Sequence, residues 1–301
     1  MTDNVRRALI LGARGQIAPF LAARLAARGY QGVSISRRAP AAASWHPAFP
    51  WQSFDLAGNL PWPGEWVEGA FLFSSVPLWL VPRHVGMLAA QGLRQIVAFS
   101  STSVYTKARS RSVQDRWVAD RLRQAEADLV NVCDAKGLPY TILRPTLVYG
   151  SGQDRNVTSI LNFARRFGFF PVASPARGLR QPVHADDLAA AAVECLATAK
   201  ARGRAFNLPG GETLSYREMV ERICASARCR VRIVQVPAGF VSALTALTFP
   251  RSRARMLGAL MLRMNQDLAF DAGEAARDLG YHPRMFLAAE QPSTAPERPG
   301  P

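Results

Sequence analysis

Short apolar runs of strand type alternate with longer stretches of helical period along the first two thirds of this chain. The strand-like runs are Ala8–Leu11, Gly32–Ser36, Ala70–Ser74, Gln95–Ser100 and Tyr140–Leu143. The helical stretches are Gln16–Arg28, Val81–Gln91 and Val113–Lys136. That alternation predicts an α/β fold of Rossmann type, a doubly wound parallel sheet with helices on both faces. After Gly150 the texture changes. Ser151 to Arg180 is rich in Gly, Phe and Arg; Val183 to Ala199 returns to strand then helix; Ala205–Leu208 reads as a further strand. Ser215 and Glu218 have capping-box spacing, and the C-terminal third reads as mostly helical. The predicted division is a dinucleotide-binding domain over 1–150 and 182–208, a smaller, mostly helical substrate-binding region over 151–181 and 209–290, and a disordered tail over 291–301.

The first strand runs into Gly12-Ala13-Arg14-Gly15-Gln16-Ile17-Ala18 and then a helix. In that context a glycine pattern becomes a phosphate-binding turn. Gly12 permits the sharp turn, Gly15 lets the backbone approach a pyrophosphate, and Ala18 lets the helix pack on its strand. The helix N-terminus then offers free N–H groups to the anion. The second strand ends in Ser36-Arg37-Arg38, with no acid between Gly29 and Phe54. An acid there would bind a ribose 2′-hydroxyl, whereas arginine accommodates a 2′-phosphate. The expected cofactor is therefore NADP, with NAD the alternative.

Of the 301 residues, 49% are hydrophobic, enough for a substantial core. No uncharged apolar stretch reaches the length of a membrane span, and MTDNVRR leads straight into a strand, unlike a signal peptide. Cys133, Cys195, Cys224 and Cys229 show no metal spacing, so no metal is expected and the cytoplasm is the expected setting. The net charge of +15 comes from arginine, since lysine occurs only at 107, 136 and 200. With no nucleic-acid module present, the charge reads as attraction for small anionic ligands, and nucleic acid is not an expected partner. Apolar Ala238–Phe249, basic Arg251, Arg253 and Arg255, then apolar Met256–Leu262 leave a peripheral membrane contact open. A homodimer is also left open.

Several blocks, in order, resemble the extended short-chain dehydrogenase/reductases, also called the NAD-dependent epimerase/dehydratase family. They are the Gly12-Gly15-Ala18 turn, Asp55, Ser74-Ser75, Ser100–Tyr105, Leu143–Gly150 and Arg180–Leu188. The resemblance covers about Arg7 to Phe286. It implies a cofactor site of Gly12, Arg14, Gly15, Gln16, Ile17, Ser36, Arg37, Arg38, Asp55, Ser74, Ser75 and Pro145. It also implies that Asn156, Arg180 and Arg263 contact a sugar-diphosphate substrate. His184 and Asp186 are expected to orient the backbone and cap a helix. The family's catalytic pair is a tyrosine with a lysine four residues later. Here no tyrosine (30, 105, 140, 149, 216 or 281) has that partner, and Trp117 and Arg121 stand at the same spacing. The expected substitute is Tyr105 as acid–base with Lys107 as its electrostatic partner and Ser101 or Thr102 polarising the substrate oxygen. The implied activity is an epimerase or reductase of nucleotide-linked or lipid-diphosphate-linked sugars. The alternative is a cofactor-binding assembly or redox-sensing protein without turnover.

Overall fold

β1 (Arg6–Leu11) is buried along its last four residues and hydrogen-bonds in parallel to a neighbour on each side. The computed structural model describes residues 6–41, 46–58, 62, 66–108, 110, 112–152, 154, 156–226, 231–237, 261 and 263–287. The remaining strands of the main sheet are β2 (Tyr30–Ser36), β3 (Trp51–Ser53), β4 (Ala70–Ser74), β5 (Gln95–Phe99), β6 (Tyr140–Pro145) and β11 (Arg204–Leu208). All seven strands are parallel, in the order β11-β6-β5-β4-β1-β2-β3. Their near-continuous Val/Ile/Leu/Phe character follows from burial on both faces.

One face is covered by α1 (Ala18–Ala27) and α6 (Ala185–Ala197), packed over Ile10, Phe73, Val97 and Leu143. The other carries α2 (Pro82–Ala90) and α4 (Val113–Lys136), packed over Leu9, Leu72, Ile96 and Ile142. Ser112 caps α4 and Gly137 ends it in the left-handed conformation. α3 (Ser103–Thr106) is a single turn between β5 and α4.

β7 (Val148–Tyr149) pairs with β10 (Val183–His184). The third core joins α5 (Val157–Phe167), β8 (Phe169–Ala173), α7 (Tyr216–Ser226) and β13 (Arg232–Val236). β9 (Leu179–Arg180) pairs with β12 (Leu214–Ser215), and α8 (Gly273–Leu279) packs beside β11. The described part of the substrate region thus contains two small sheets as well as its helices. Two-residue strands carry too little alternation to register in a sequence pattern. The Ser215–Glu218 capping box forms as expected: Ser215 N donates to Glu218 Oε2 at 2.7 Å and Glu218 N to Ser215 Oγ at 3.1 Å. The apolar and basic run over 238–260 and the tail over 291–301 lie outside the described residues. Among the described residues, no helix is long and apolar enough to cross a membrane.

Candidate active site

The strand order reverses between β1 and β4, whose ends Leu11 and Ser74 are paired. A crevice opens at such a switch point, outside the carboxyl ends of the strands. The glycine turn fills one lip. Gly12 has φ of 93°, and a Cβ there would lie 2.5 Å from Ser75 Oγ. A Cβ on Gly15 would sit 3.0 Å from both Gly12 O and Ser75 Oγ. Ser75 braces the turn from β4, its hydroxyl donating to Leu11 O at 3.0 Å. The helix begins at Ala18, two residues later than the sequence suggested, with no side-chain cap and no acid in its first turn. Its positive end is therefore uncompensated. Gln16 Oε1 is buried here without a hydrogen-bond partner, and Ser74 Oγ is likewise buried and unpartnered.

At the end of β2, the Ser36 hydroxyl donates to Arg38 O at 2.6 Å and accepts from Trp51 Nε1 at 3.0 Å. It shapes the turn that presents Arg37 and Arg38, both exposed and, among the described residues, without an ion pair. Asp55 is exposed after β3 and accepts from Ala57 N at 3.0 Å.

The loop after β5 meets the end of β6 at the same, carboxyl edge of the sheet. Thr102 is buried, and both its N–H and its hydroxyl donate to Pro145 O at 3.1 Å. Ser101 Oγ accepts from Ser103 N and donates to Ser103 Oγ. Tyr105 is 45% exposed, and its hydroxyl accepts from Arg144 Nη1 at 2.6 Å. Arg144 also donates to Glu126 through Nε at 3.0 Å and Nη2 at 2.5 Å, while Ser100 Oγ donates to Glu126 Oε1 at 2.5 Å. Burial works against the Arg144 charge, but Glu126 and Tyr105 hold its pKa above the ordinary arginine value.

The pairing of Tyr105 with Lys107 is thereby corrected. Lys107 Nζ stands 3.4 Å from Asp115 Oδ1, and the cation on Tyr105 is Arg144. The cause is local. One helical turn carries Lys107 past Tyr105 toward the α4 N-terminus, where Ser110 Oγ and Ser112 Oγ hold Asp115. Thr102 is corrected as well: its hydroxyl is committed to Pro145 O. Trp117 and Arg121 engage one another, with the guanidinium 5.0 Å above the Trp117 ring and 4.9 Å above Trp79.

Of the three substrate candidates, Arg263 reaches the crevice loop, its Nη1 being 3.7 Å from Asp115 Oδ1. Asn156 is exposed at the start of α5 and its side chain does not cap the helix; Asp154 does so instead. Arg180 is corrected to a strut. It is buried and donates to the carbonyls of Leu179, Gln266 and Arg263, beneath the Tyr216 ring. Burial pushes its pKa down to about 10. His184 caps α6, its Nδ1 accepting from Asp186 N at 3.1 Å, as the sequence suggested. Its ring fills the space a Cβ on Gly150 would need, 2.1 Å from Nε2. Asp186 pairs with Arg24 of α1 and Arg284 of the C-terminal segment.

Residues 83–208 match the model of the NAD dependent epimerase/dehydratase family. Over these residues, less than half of its length, the chain is similar to that family. An uncharacterized protein of Sinorhizobium fredii is 28% identical over 207 residues, covering 65% of this chain and 50% of that protein. A UDP-glucose 4-epimerase of Vibrio cholerae is 29% identical over 100 residues, 33% of this chain and 30% of that one. The matched stretches thus span half or less of these curated relatives. Among solved structures, UDP-glucuronic acid 4-epimerase from Bacillus cereus in complex with NAD superposes with TM-score 0.72 at 16% identity, over 93% of this chain and 92% of that one. UDP-glucose 4-epimerase from Thermotoga maritima with UDP-glucose gives 0.66 at 14%, over 93% and 94%. At such identities these likenesses show the fold.

The sequence reading missed Glu126, Asp115 and the role of Arg144. Glu126 carried a signal. It falls on the apolar stripe Ala119, Leu122, Ala125, Leu129 and Cys133 of α4, and a carboxylate among buried positions needs a partner. Asp115 follows Ser112 by three residues, which is capping-box spacing.

Proposed function

We propose that the chain is an oxidoreductase of epimerase type that uses NADP, with NAD the alternative, on a sugar carried by a nucleoside or lipid diphosphate. The observation that carries this reading is a glycine-lined anion cradle and a polar Tyr105–Arg144–Glu126 network at the carboxyl ends of strands of one parallel sheet. The family match and the UDP-sugar epimerases among the similar proteins support it.

The residues fit the cofactor. Gly12 and Gly15 leave room where a Cβ would collide, the α1 N-terminus is uncapped, and the buried Gln16 amide has an unpartnered oxygen. Gly12, Arg14, Gly15, Gln16 and Ile17 would hold the pyrophosphate, Arg37 and Arg38 a 2′-phosphate, and Asp55 the adenine, with Ser74, Ser75 and Pro145 completing the set. When bound, the nicotinamide supplies the hydride acceptor and donor.

Tyr105 takes or returns the proton of the sugar hydroxyl, because its phenol is exposed at the end of the sheet. Arg144 fixes the phenol and is itself fixed by the bidentate contact to Glu126. Ser101 polarises the same oxygen. Asn156 and Arg263 face the diphosphate, and Arg180 holds the loop that carries Arg263.

The test is to release any nucleotide retained through purification, titrate NADPH against NADH, and follow UDP-glucose and UDP-glucuronate for epimer formation by NMR. Epimer or keto-sugar formation is expected. If nucleotide binds but neither sugar changes nor the nicotinamide alters its redox state, the second reading takes over, that of a cofactor-bound protein without turnover. The absence of any Tyr-x-x-x-Lys in the sequence favours that alternative.

A further inference from the structure

α5 ends in Arg165, Arg166 and Phe167, turns at Gly168 with φ of 70°, and enters β8 at Phe169. β13 lies parallel to β8, with Arg232 opposite Phe169 and Val234 opposite Pro171. Alternate residues of a strand point to opposite faces. Phe170 and Val172 therefore go inward, into the core shared with α5 and α7, while Phe169, Arg232 and Val234 share the outer face. Among the described residues, no element covers that outer face. Phe167 is 52% exposed, Phe169 40% and Val234 42%. The two phenylalanines are held as a cluster by Phe163, at ring distances of 4.6 and 5.9 Å. Around them Arg165, Arg166 and Arg232 are all exposed, and none makes an ion pair among the described residues; Arg166 instead lies 5.5 Å over the Phe167 ring.

We propose that this outer face of β8 and β13, with the end of α5, docks on an anionic lipid surface. Exposed apolar side chains gathered in one place mark an interaction site. An apolar centre with a rim of unpaired arginines matches a bilayer interface, where rings enter the acyl boundary and guanidinium groups meet lipid phosphates. Val234 has nothing to stack on a base and gains only from an apolar medium, which favours lipid over nucleic acid. The +15 net charge adds long-range attraction to the same surface. The docking is independent of whether the crevice turns over a sugar.

The experiment is co-sedimentation of the full chain with vesicles of phosphatidylcholine alone or mixed with phosphatidylglycerol. Binding is expected only to the mixed vesicles and is expected to fall with salt. The triple variant Arg165→Gln, Arg166→Gln, Arg232→Gln should lose about fivefold in vesicle affinity per arginine. A control triple, Arg83→Gln, Arg202→Gln, Arg277→Gln, tests bulk charge and should lose much less. The pair Phe167→Gln, Phe169→Gln should weaken binding at low and high salt alike, with circular dichroism reporting the fold. No binding to the mixed vesicles would overturn the proposal. So would equal losses in the two arginine triples, or tight binding to single-stranded DNA with none to vesicles.

Discussion

Arg144 donates through Nη1 to the hydroxyl of Tyr105 at 2.6 Å, while Lys107, two residues from Tyr105 in sequence, is turned onto Asp115 at 3.4 Å. The nearest cation in the chain is thus not the functional neighbour of the phenol. On the proposed chemistry, Tyr105→Phe removes the proton carrier and should lower kcat roughly 100- to 10,000-fold, the usual worth of a general acid–base, with nucleotide affinity unchanged. Lys107→Met should cost only a few-fold, since its charge answers Asp115. A steady-state comparison of the two variants decides between the partners; a Lys107→Met loss as large as that of Tyr105→Phe would restore lysine to the site.

The glycine turn makes a separate prediction. With φ of 93° and a Cβ that would fall 2.5 Å from Ser75 Oγ, Gly12→Ala strains the backbone and pushes Ser75 off Leu11. A cost of about 1–3 kcal/mol in unfolding free energy is expected from the backbone alone, read by urea denaturation. Nucleotide binding should be lost in fluorescence titrations even where the protein stays folded, because the added methyl closes the cradle.

On the proposed chemistry, Arg37 and Arg38 set the choice of nucleotide. Both are exposed and, among the described residues, unpaired at the end of β2, so removing them disturbs no ion pair there. Arg37→Ala with Arg38→Ala should weaken NADPH roughly 10- to 100-fold, the worth of one lost hydrogen-bonded charge contact, and leave NADH within a few-fold. Equal weakening of both nucleotides in calorimetry would show that neither arginine reads a 2′-phosphate.

The sheet was legible because its strands are buried on both faces, so each appears as a short apolar run between helical stretches. β3 was not, since Trp51–Ser53 is a three-residue edge strand with no apolar run. The small sheets of the substrate region escaped for a related reason: β9 and β12 are two residues each and are fixed by Arg180 and Gly178 contacts from far along the chain. The glycine turn was legible because strand, turn and helix are contiguous in sequence. The Tyr105–Arg144–Glu126 network was not, because it joins three elements 18 to 39 residues apart. Spacing rules reach neighbours on one helix or strand, not partners brought together at a sheet end.

Asp186 ties three parts of the molecule and makes stability depend on acid. Its carboxylate accepts from Arg24 Nε at 2.6 Å and Nη2 at 2.8 Å, and from Arg284 Nη2 at 2.7 Å, joining α1, α6 and the C-terminal segment. Burial alone would raise its pKa, but hydrogen bonds and charge from Arg24 and Arg284 outweigh this and hold it below the ordinary carboxylate range. The folded state therefore binds fewer protons here than the unfolded chain, whose aspartates titrate near about 3.9. The stabilisation is present in full above that value and is lost as the pH falls through the lowered native pKa. Asp186→Asn should cost about 1–2 kcal/mol at neutral pH, from two weakened charge-assisted contacts at partly exposed arginines. It should also flatten the acid limb of the stability curve measured by urea melts from neutral pH downward. An unchanged acid limb in Asp186→Asn would mean that other carboxylates, Asp187 on Arg284 among them, carry the acid sensitivity.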